Sequence, residues 1–213
     1  MSGLASWEKH YTRQKSALHY PDENLVRMLV PWLAQRSASS LKALDLGCGS
    51  GRHLALLDDT GVGSITGSDI SENALSIAAA FGKPLVLCDN RSLPFDDASF
   101  DIIVCWGSLH YGDKQSFAEQ VSEIYRVLKP GGALFGTLRS EFDTMMRKGR
   151  DLGNNVWVTE LSDIESSVVS FYSEDELQKG FASFLSITYG IMERTPLGRM
   201  NERVSHWYFR ADR

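Results

Sequence analysis

The sequence predicts an α/β fold in which a mostly parallel sheet carries helices on both faces. Beyond residue 40, short apolar and β-rich runs alternate with amphipathic runs, the pattern of parallel strands joined by crossover helices. The length of 213 residues suits one domain with a substantial core, and 43% hydrophobic with 23% charged residues is ordinary for a soluble globular protein.

The predicted elements follow in order from the first buried run. Leu41 to Leu46 is mostly apolar, as expected of a buried parallel strand. The next elements are a helix over 50–58, a strand over 64–69, a helix over 72–81, strands over 84–88 and 100–106, a helix over 113–128 and a strand over 133–139. Ser173 begins a capping-box pattern that predicts a further helix, and two β-rich runs follow at 183–191 and 203–211. Residues 1–40 look helical.

Residues 140–172 have no clean helical or strand period. A segment this irregular inside a compact domain is often a lid or substrate loop, and a solvated insertion is the alternative. A basic cluster begins just before it and could pair with a carboxylate or phosphate of a substrate, or could simply be solvated; it comprises Arg139, Arg147, Lys148 and Arg150.

A glycine-rich turn follows the first strand, in the stretch Leu-Asp-Leu-Gly-Cys-Gly-Ser-Gly-Arg-His at 44–53. Glycines at alternate positions permit a tight turn and let a ligand lie against bare backbone. The dinucleotide fingerprint G-x-G-x-x-G would require a glycine at residue 52, which is Arg52. The acid Asp45, two residues before the first glycine, would repel a pyrophosphate and suits a ligand that carries positive charge.

With Asp45, Gly47, Gly49 and Gly51 in place, the stretch resembles motif I of the class I S-adenosylmethionine-dependent methyltransferases, in particular the small type 11 and type 25 members. The resemblance implies a Rossmann-like, seven-stranded, mostly parallel sheet of order 3-2-1-4-5-7-6 with an antiparallel last strand. It also implies that residues 41–213 form the cofactor-binding domain, with a lid-like insertion at 140–172 and residues 1–40 as a helical cap.

The resemblance implies a cofactor role for each matching residue. The loop from Asp45 through Cys48 to Gly51 would pass under the methionine part of S-adenosylmethionine. Asp69, 22 positions after Gly47, would bind both ribose hydroxyls, or serve only as a helix cap. The adenine would be contacted by Ile70, Asp89 and Asn90.

Further candidates lie at the end of the fourth strand and near the N-terminus. The resemblance implies that Trp106 lies against the cofactor, where a sulfonium would gain from an aromatic face. His110 is the best-placed general base, with a wall residue of the acceptor pocket as the alternative. Tyr11 and Tyr20 could cap the cofactor or simply pack.

The expected activity is methyl transfer to an O, N or S atom of a small-molecule acceptor, with S-adenosylhomocysteine as the product. The alternatives are an NAD-dependent oxidoreductase and a cofactor-binding protein without turnover. The net charge of −5 argues against a nucleic-acid partner, and no apolar run is long enough to span a membrane. Three cysteines in apolar runs and an N-terminus without an apolar signal core predict a cytoplasmic protein, and no metal site is expected. The sequence assigns no oligomeric state.

Overall fold

The computed structural model describes residues 2–13, 18–161 and 164–213. Their helices are α1 (Ser2–Tyr11), α2 (Glu23–Leu33), α3 (Arg52–Asp59), α4 (Glu72–Ala78), α5 (Lys114–Val127) and α6 (Glu174–Gly180). The strands are β1 (Lys42–Leu46), β2 (Ser64–Asp69), β3 (Leu85–Leu87), β4 (Phe100–Cys105), β5 (Leu128–Arg139), β6 (Gly149–Gly153), β7 (Val156–Thr159), β8 (Val168–Ser170), β9 (Ser186–Arg194) and β10 (Val204–Asp212).

Seven strands form the main sheet, in the order β3-β2-β1-β4-β5-β10-β9. The first five are parallel neighbours, whereas β10 runs antiparallel to both β5 and β9. This confirms the predicted strand order and the antiparallel last strand. The central strand β1 is buried from Ala43 to Leu46, because helices cover both faces of the sheet and exclude water from it.

Side-chain caps begin several helices where the sequence favours them. Ser71 accepts a hydrogen bond from the amide of Ala74 at the start of α4. Ser173 and Glu176 form the predicted capping box of α6, in which each side chain accepts from the other residue's amide. These caps fix the helix starts and therefore the loops that precede them.

The structure departs from the predicted elements in two places. Strand β5 begins at Leu128, because Leu128 already pairs with Phe100 before a register irregularity. Residues 140–172 also contain a separate three-stranded sheet of order β6-β7-β8. This small sheet packs on its own buried cluster of Met146, Ile164, Val169 and Phe171.

Among the helices in the described ranges, none combines the length and apolar character needed to cross a bilayer.

Candidate functional site

A cavity of about 1510 Å³ opens where the parallel strands of the main sheet end. Its lining includes the residue after β1, the last residue of β2, the residue after β4 and the last residue of β5: Gly47, Asp69, Trp106 and Arg139. Ligands of open α/β sheets bind at these carboxyl ends. The cavity reaches from the glycine loop to the small three-stranded sheet, which contributes Val168 to its wall.

The glycine loop lies against the cavity in a conformation that side chains disfavour. Gly47, Gly49 and Gly51 have φ values of +71°, +54° and +90°. A Cβ on Gly47 would lie 2.7 Å from the Cβ of Ser108, so the close approach of the two loops requires glycine. The predicted Cys48 also lines the cavity. The loop thus presents bare backbone to a ligand.

Asp45 lies beneath this loop with its carboxylate unsatisfied. The residue is 1% exposed, and neither carboxylate oxygen has a hydrogen-bond partner among the residues that the structure describes. The nearest cationic candidate is the Nδ1 atom of His53, 3.7 Å from Oδ1. A buried carboxylate without partners is costly, and a ligand ammonium group would relieve that cost. These residues therefore fit the amino-acid end of S-adenosylmethionine.

Asp69 is held in place by the backbone on either side of it. Its Oδ2 accepts from the amide of Gly49 at 2.9 Å, and its Oδ1 accepts from the amide of Ser71 at 3.0 Å. Burial holds the pKa of this carboxyl above its usual value, although the two amide donors partly offset that rise. Each oxygen keeps a free lone pair, so the carboxylate can accept from the two hydroxyls of a ribose.

The residues expected around the adenine lie along the same wall. Ile70, Asp89 and Asn90 all line the cavity. Arg91 binds the Asp89 carboxylate through its guanidinium, and this contact lowers the pKa of Asp89. An adenine amino group would therefore share Asp89 with an arginine.

Helix α1 closes one side of the cavity. Tyr11 lines the cavity so near the glycine loop that a Cβ on Gly49 would lie 2.5 Å from its hydroxyl oxygen. The Glu8 carboxylate accepts from the amides of Glu72 and Asn73 at the start of α4. Trp7 stacks edge-on against Tyr111 with ring centroids 4.6 Å apart. Helix α1 therefore contacts both the cofactor side and the opposite side of the cavity.

Tyr20, unlike Tyr11, does not line the cavity. Its side chain is 85% exposed. The contact between Tyr20 and the cofactor stays a prediction, and in this structure the ring faces outward while the Tyr20 carbonyl accepts from Arg52.

The bend after β4 places Trp106 and His110 on the cavity wall. His110 is 1% exposed, and the contact of its ring with the Thr137 backbone is too poor in geometry to count as a full hydrogen bond, although it raises the pKa slightly. Burial, helped by the nearby charge of Arg139, holds its pKa well below the usual histidine value. At neutral pH the imidazole is therefore uncharged, with one nitrogen free to accept a proton and the other to donate one.

Sequence reasoning missed His206, which lies beside His110 with ring centroids 5.5 Å apart. His206 stands opposite Arg139 in the β10–β5 register. Burial and the charge of Arg139 lower its pKa well below the usual value too. Only the register of the antiparallel strands could have revealed it, because nothing in its local sequence sets it apart.

The predicted basic cluster separates in the structure, and only Arg139 lines the cavity. Arg139 is 7% exposed and forms a 2.5 Å ion pair with the fully buried Asp143. Arg147 donates to the carbonyl oxygens of Glu141 and Asp143, and Lys148 pairs with Glu202. Arg150 is exposed on β6.

Within the described ranges, no group of three or more His, Cys, Asp or Glu side chains is arranged to hold a metal ion.

Comparison with known proteins agrees with this geometry. Residues 44–136 match the family model described as "Methyltransferase domain". A Bos taurus protein named "Probable tRNA methyltransferase 9B" is 36% identical over 104 residues, which are 48% of this chain and 22% of that protein. The Mus musculus "Arginine-hydroxylase NDUFAF5, mitochondrial" is 38% identical over 98 residues, 45% of this chain and 28% of that protein. The chain thus spans less than a third of the length of these curated relatives.

Among solved structures, the Burkholderia thailandensis 1,6-didemethyltoxoflavin-N1-methyltransferase has the same fold, with a TM-score of 0.60 and 18% identity. The match covers 89% of this chain and 78% of that one, and that structure holds its acceptor and S-adenosylhomocysteine. The glycine loop, the strand order and the family match agree. Residues 44–136 therefore match a methyltransferase domain, within a chain that shares the fold of that structure.

Proposed function

We propose that this protein transfers the methyl group of S-adenosylmethionine to a small-molecule acceptor. The observation that carries the proposal is the buried, unsatisfied carboxylate of Asp45 beneath the glycine loop, together with the cavity that the loop and His110 both line. When bound, the cofactor supplies an electrophilic methyl group on a sulfonium.

The chain's own residues bind and orient the two reactants. Asp45 accepts from the cofactor ammonium group, and Asp69 accepts from the ribose hydroxyls. Tyr11 and Trp106 close the space on either side of the loop and exclude water. Positioning supplies most of the rate in such a transfer, because the protein has little covalent chemistry to do.

The acceptor's lone pair forms the new bond to the methyl carbon, and the sulfur keeps the electrons of the broken carbon–sulfur bond. An O–H, N–H or S–H acceptor must also lose a proton. His110, uncharged and on the cavity wall, is the proposed base.

The acceptor is proposed to be small rather than a nucleic acid or protein, and to carry a carboxylate or phosphate that meets Arg139. Enclosure of the cavity by α1 and by the segment 140–172, together with the net charge of −5, supports a small acceptor. The names of two relatives point to a tRNA and to an arginine, so both classes belong in the test. Three cysteines without disulfides support a cytoplasmic location.

The test incubates the protein with methyl-labelled S-adenosylmethionine and, separately, a metabolite extract, bulk tRNA and a protein extract. We expect label to enter the small-molecule fraction. Calorimetric titration with S-adenosylhomocysteine and NAD separates this proposal from an oxidoreductase. Binding of S-adenosylhomocysteine without any labelled product would favour a cofactor-binding protein without turnover, and label in tRNA or protein would overturn the small-molecule acceptor.

A further inference from the structure

Resting on the proposed function, we infer that the acceptor is a carboxylic acid with an apolar body, whose carboxylate is bound at the buried cluster of Arg139, His110 and His206. The basic cluster in the sequence specified neither which anion the acceptor carries, a carboxylate or a phosphate, nor which residues bind it.

The three side chains form one continuous surface inside the cavity. Arg139 and His206 are direct partners across β5 and β10, and His206 is the ring neighbour of His110. All three line the cavity. They come from a strand end, a hairpin strand and the bend after β4, so the fold rather than a local motif assembles the cluster.

Two members of the cluster keep unused hydrogen-bonding atoms although they are more than nine-tenths buried. Among the described residues, the Nε atom of Arg139 has no partner, and the ring of His110 has only a weak contact with the Thr137 backbone. Buried polar atoms in folded proteins are nearly always paired. Both residues line the cavity, so a ligand there that accepts hydrogen bonds would supply the missing partners.

The local charge favours a carboxylate over a phosphate. Asp143 already compensates the charge of Arg139, and its carboxylate also accepts from the amides of Ser205 and Met146. Within the described ranges, Arg194 and Arg199 also line the cavity, and Arg199 is paired with Glu202. The charge of Arg194, which lowers the pKa of His206, therefore matches a monoanion better than a phosphate dianion, whose second negative charge would be buried without compensation.

Apolar side chains also line the cavity that contains this cluster. Met145, Leu161, Ile164, Val168 and Val204 line the cavity beside the cluster. Such a surface stabilises hydrocarbon in proportion to the area removed from water. An acid with an aromatic ring or a short alkyl chain therefore fits the compartment better than a small polar acid does.

The test measures binding by calorimetry, with ligand-observed NMR for weak ligands, both with and without saturating S-adenosylhomocysteine. The probes are benzoate, benzamide, phenyl phosphate, hexanoate and hexanamide. We expect each carboxylate to bind roughly tenfold or more tightly than its amide, because hydrogen bonds to an ionised group are about twice as strong as neutral ones.

Arg139→Lys tests the site without leaving the buried Asp143 carboxylate unpaired. A lysine can keep the ion pair but lacks the Nε–H donor. It should remove most of the carboxylate preference while the melting temperature and S-adenosylhomocysteine affinity hold. Arg150→Lys is the matched control, because Arg150 is exposed outside the cavity, and it should change nothing.

Equal affinity for acid and amide, a preference that survives Arg139→Lys, or no binding of any probe would each overturn the inference. Tighter binding of phenyl phosphate than of benzoate would overturn the choice of carboxylate. Benzoate binding without S-adenosylhomocysteine binding would instead contradict the proposed function and leave the acid site standing.

Discussion

The two ends of the cavity are built for opposite charges. At the glycine loop the unsatisfied atoms are acceptors, the two carboxylate oxygens of Asp45. At the far end they include the Nε donor of Arg139 and the ring nitrogens of His110, within the described part of the chain. Each end of the cavity thus has buried polar atoms that lack hydrogen-bond partners, and a ligand of the matching charge would supply those partners.

The largest expected effect comes from filling the glycine loop. Gly49→Val places a branched side chain at a φ of +54° and against the hydroxyl of Tyr11, so cofactor binding should be abolished while the fold survives. Titration with S-adenosylhomocysteine measures the loss. Gly61→Val is the matched control, since Gly61 also has a positive φ, +77°, but nothing within 4 Å of a Cβ. Equal binding of S-adenosylhomocysteine by both variants would mean that the glycine loop is only a turn and does not bind the cofactor.

The second largest effect is expected at the acceptor end of the cavity, from His110→Ala. As a base, His110 contributes roughly a hundredfold or more in rate, so His110→Ala should lower kcat by that factor and leave S-adenosylhomocysteine affinity unchanged. The lowered pKa of His110 keeps it neutral, and activity should therefore stay level above about pH 6.5, the ordinary histidine pKa. A fall in kcat of only a fewfold would make His110 a wall residue.

Asp45→Asn tests the opposite charge requirement at the cofactor end. Removing the charge while keeping the shape should weaken S-adenosylmethionine binding by about 1.5–3 kcal/mol, the scale of hydrogen bonds to a charged group. The ligand-free protein should melt at a higher temperature, because the unsatisfied buried carboxylate is gone. Calorimetry and thermal melts measure the two effects. Unchanged affinity in a folded variant would remove Asp45 from the site.

The smallest effect is the pH dependence of stability. The unfolded chain protonates His110 and His206 near pH 6.5, whereas the folded chain does so only at lower pH. Stability from these groups is therefore complete above pH 6.5 and declines below it, by up to about 1.4 kcal/mol per pH unit for each histidine. Denaturant melts of wild type and His110→Asn should diverge below pH 6.5. Parallel curves would mean that His110 is protonated in the folded state.

The cofactor end was predictable because its signals are local. The apolar run of β1, the alternating glycines and Asp45 lie within ten residues, and the structure brings Gly47, Cys48 and Asp69 to one cavity. The acceptor end depends on pairing between distant segments. His206 reaches Arg139 only through the register of β5 and β10, which no local pattern encodes.

The small sheet escaped prediction for a similar reason. Strand β6 is exposed along its whole length, so it has no alternation of apolar and polar residues to reveal it. Its pairing with β7 holds it in place instead. Tyr20 shows a different limit, because a sequence places an aromatic residue near a site but does not determine which way its ring faces, and this ring faces solvent.

Helix α1 has a consequence for the order of events in turnover. Its Tyr11 adjoins the glycine loop, its Trp7 stacks on Tyr111, and Ser6 donates to the carbonyl of Glu165 in the connection between β7 and β8. One ten-residue helix thus covers both compartments at once. We expect both products to leave through the same opening movement, so that exchange of spent cofactor and release of the methylated acceptor share a single kinetic step.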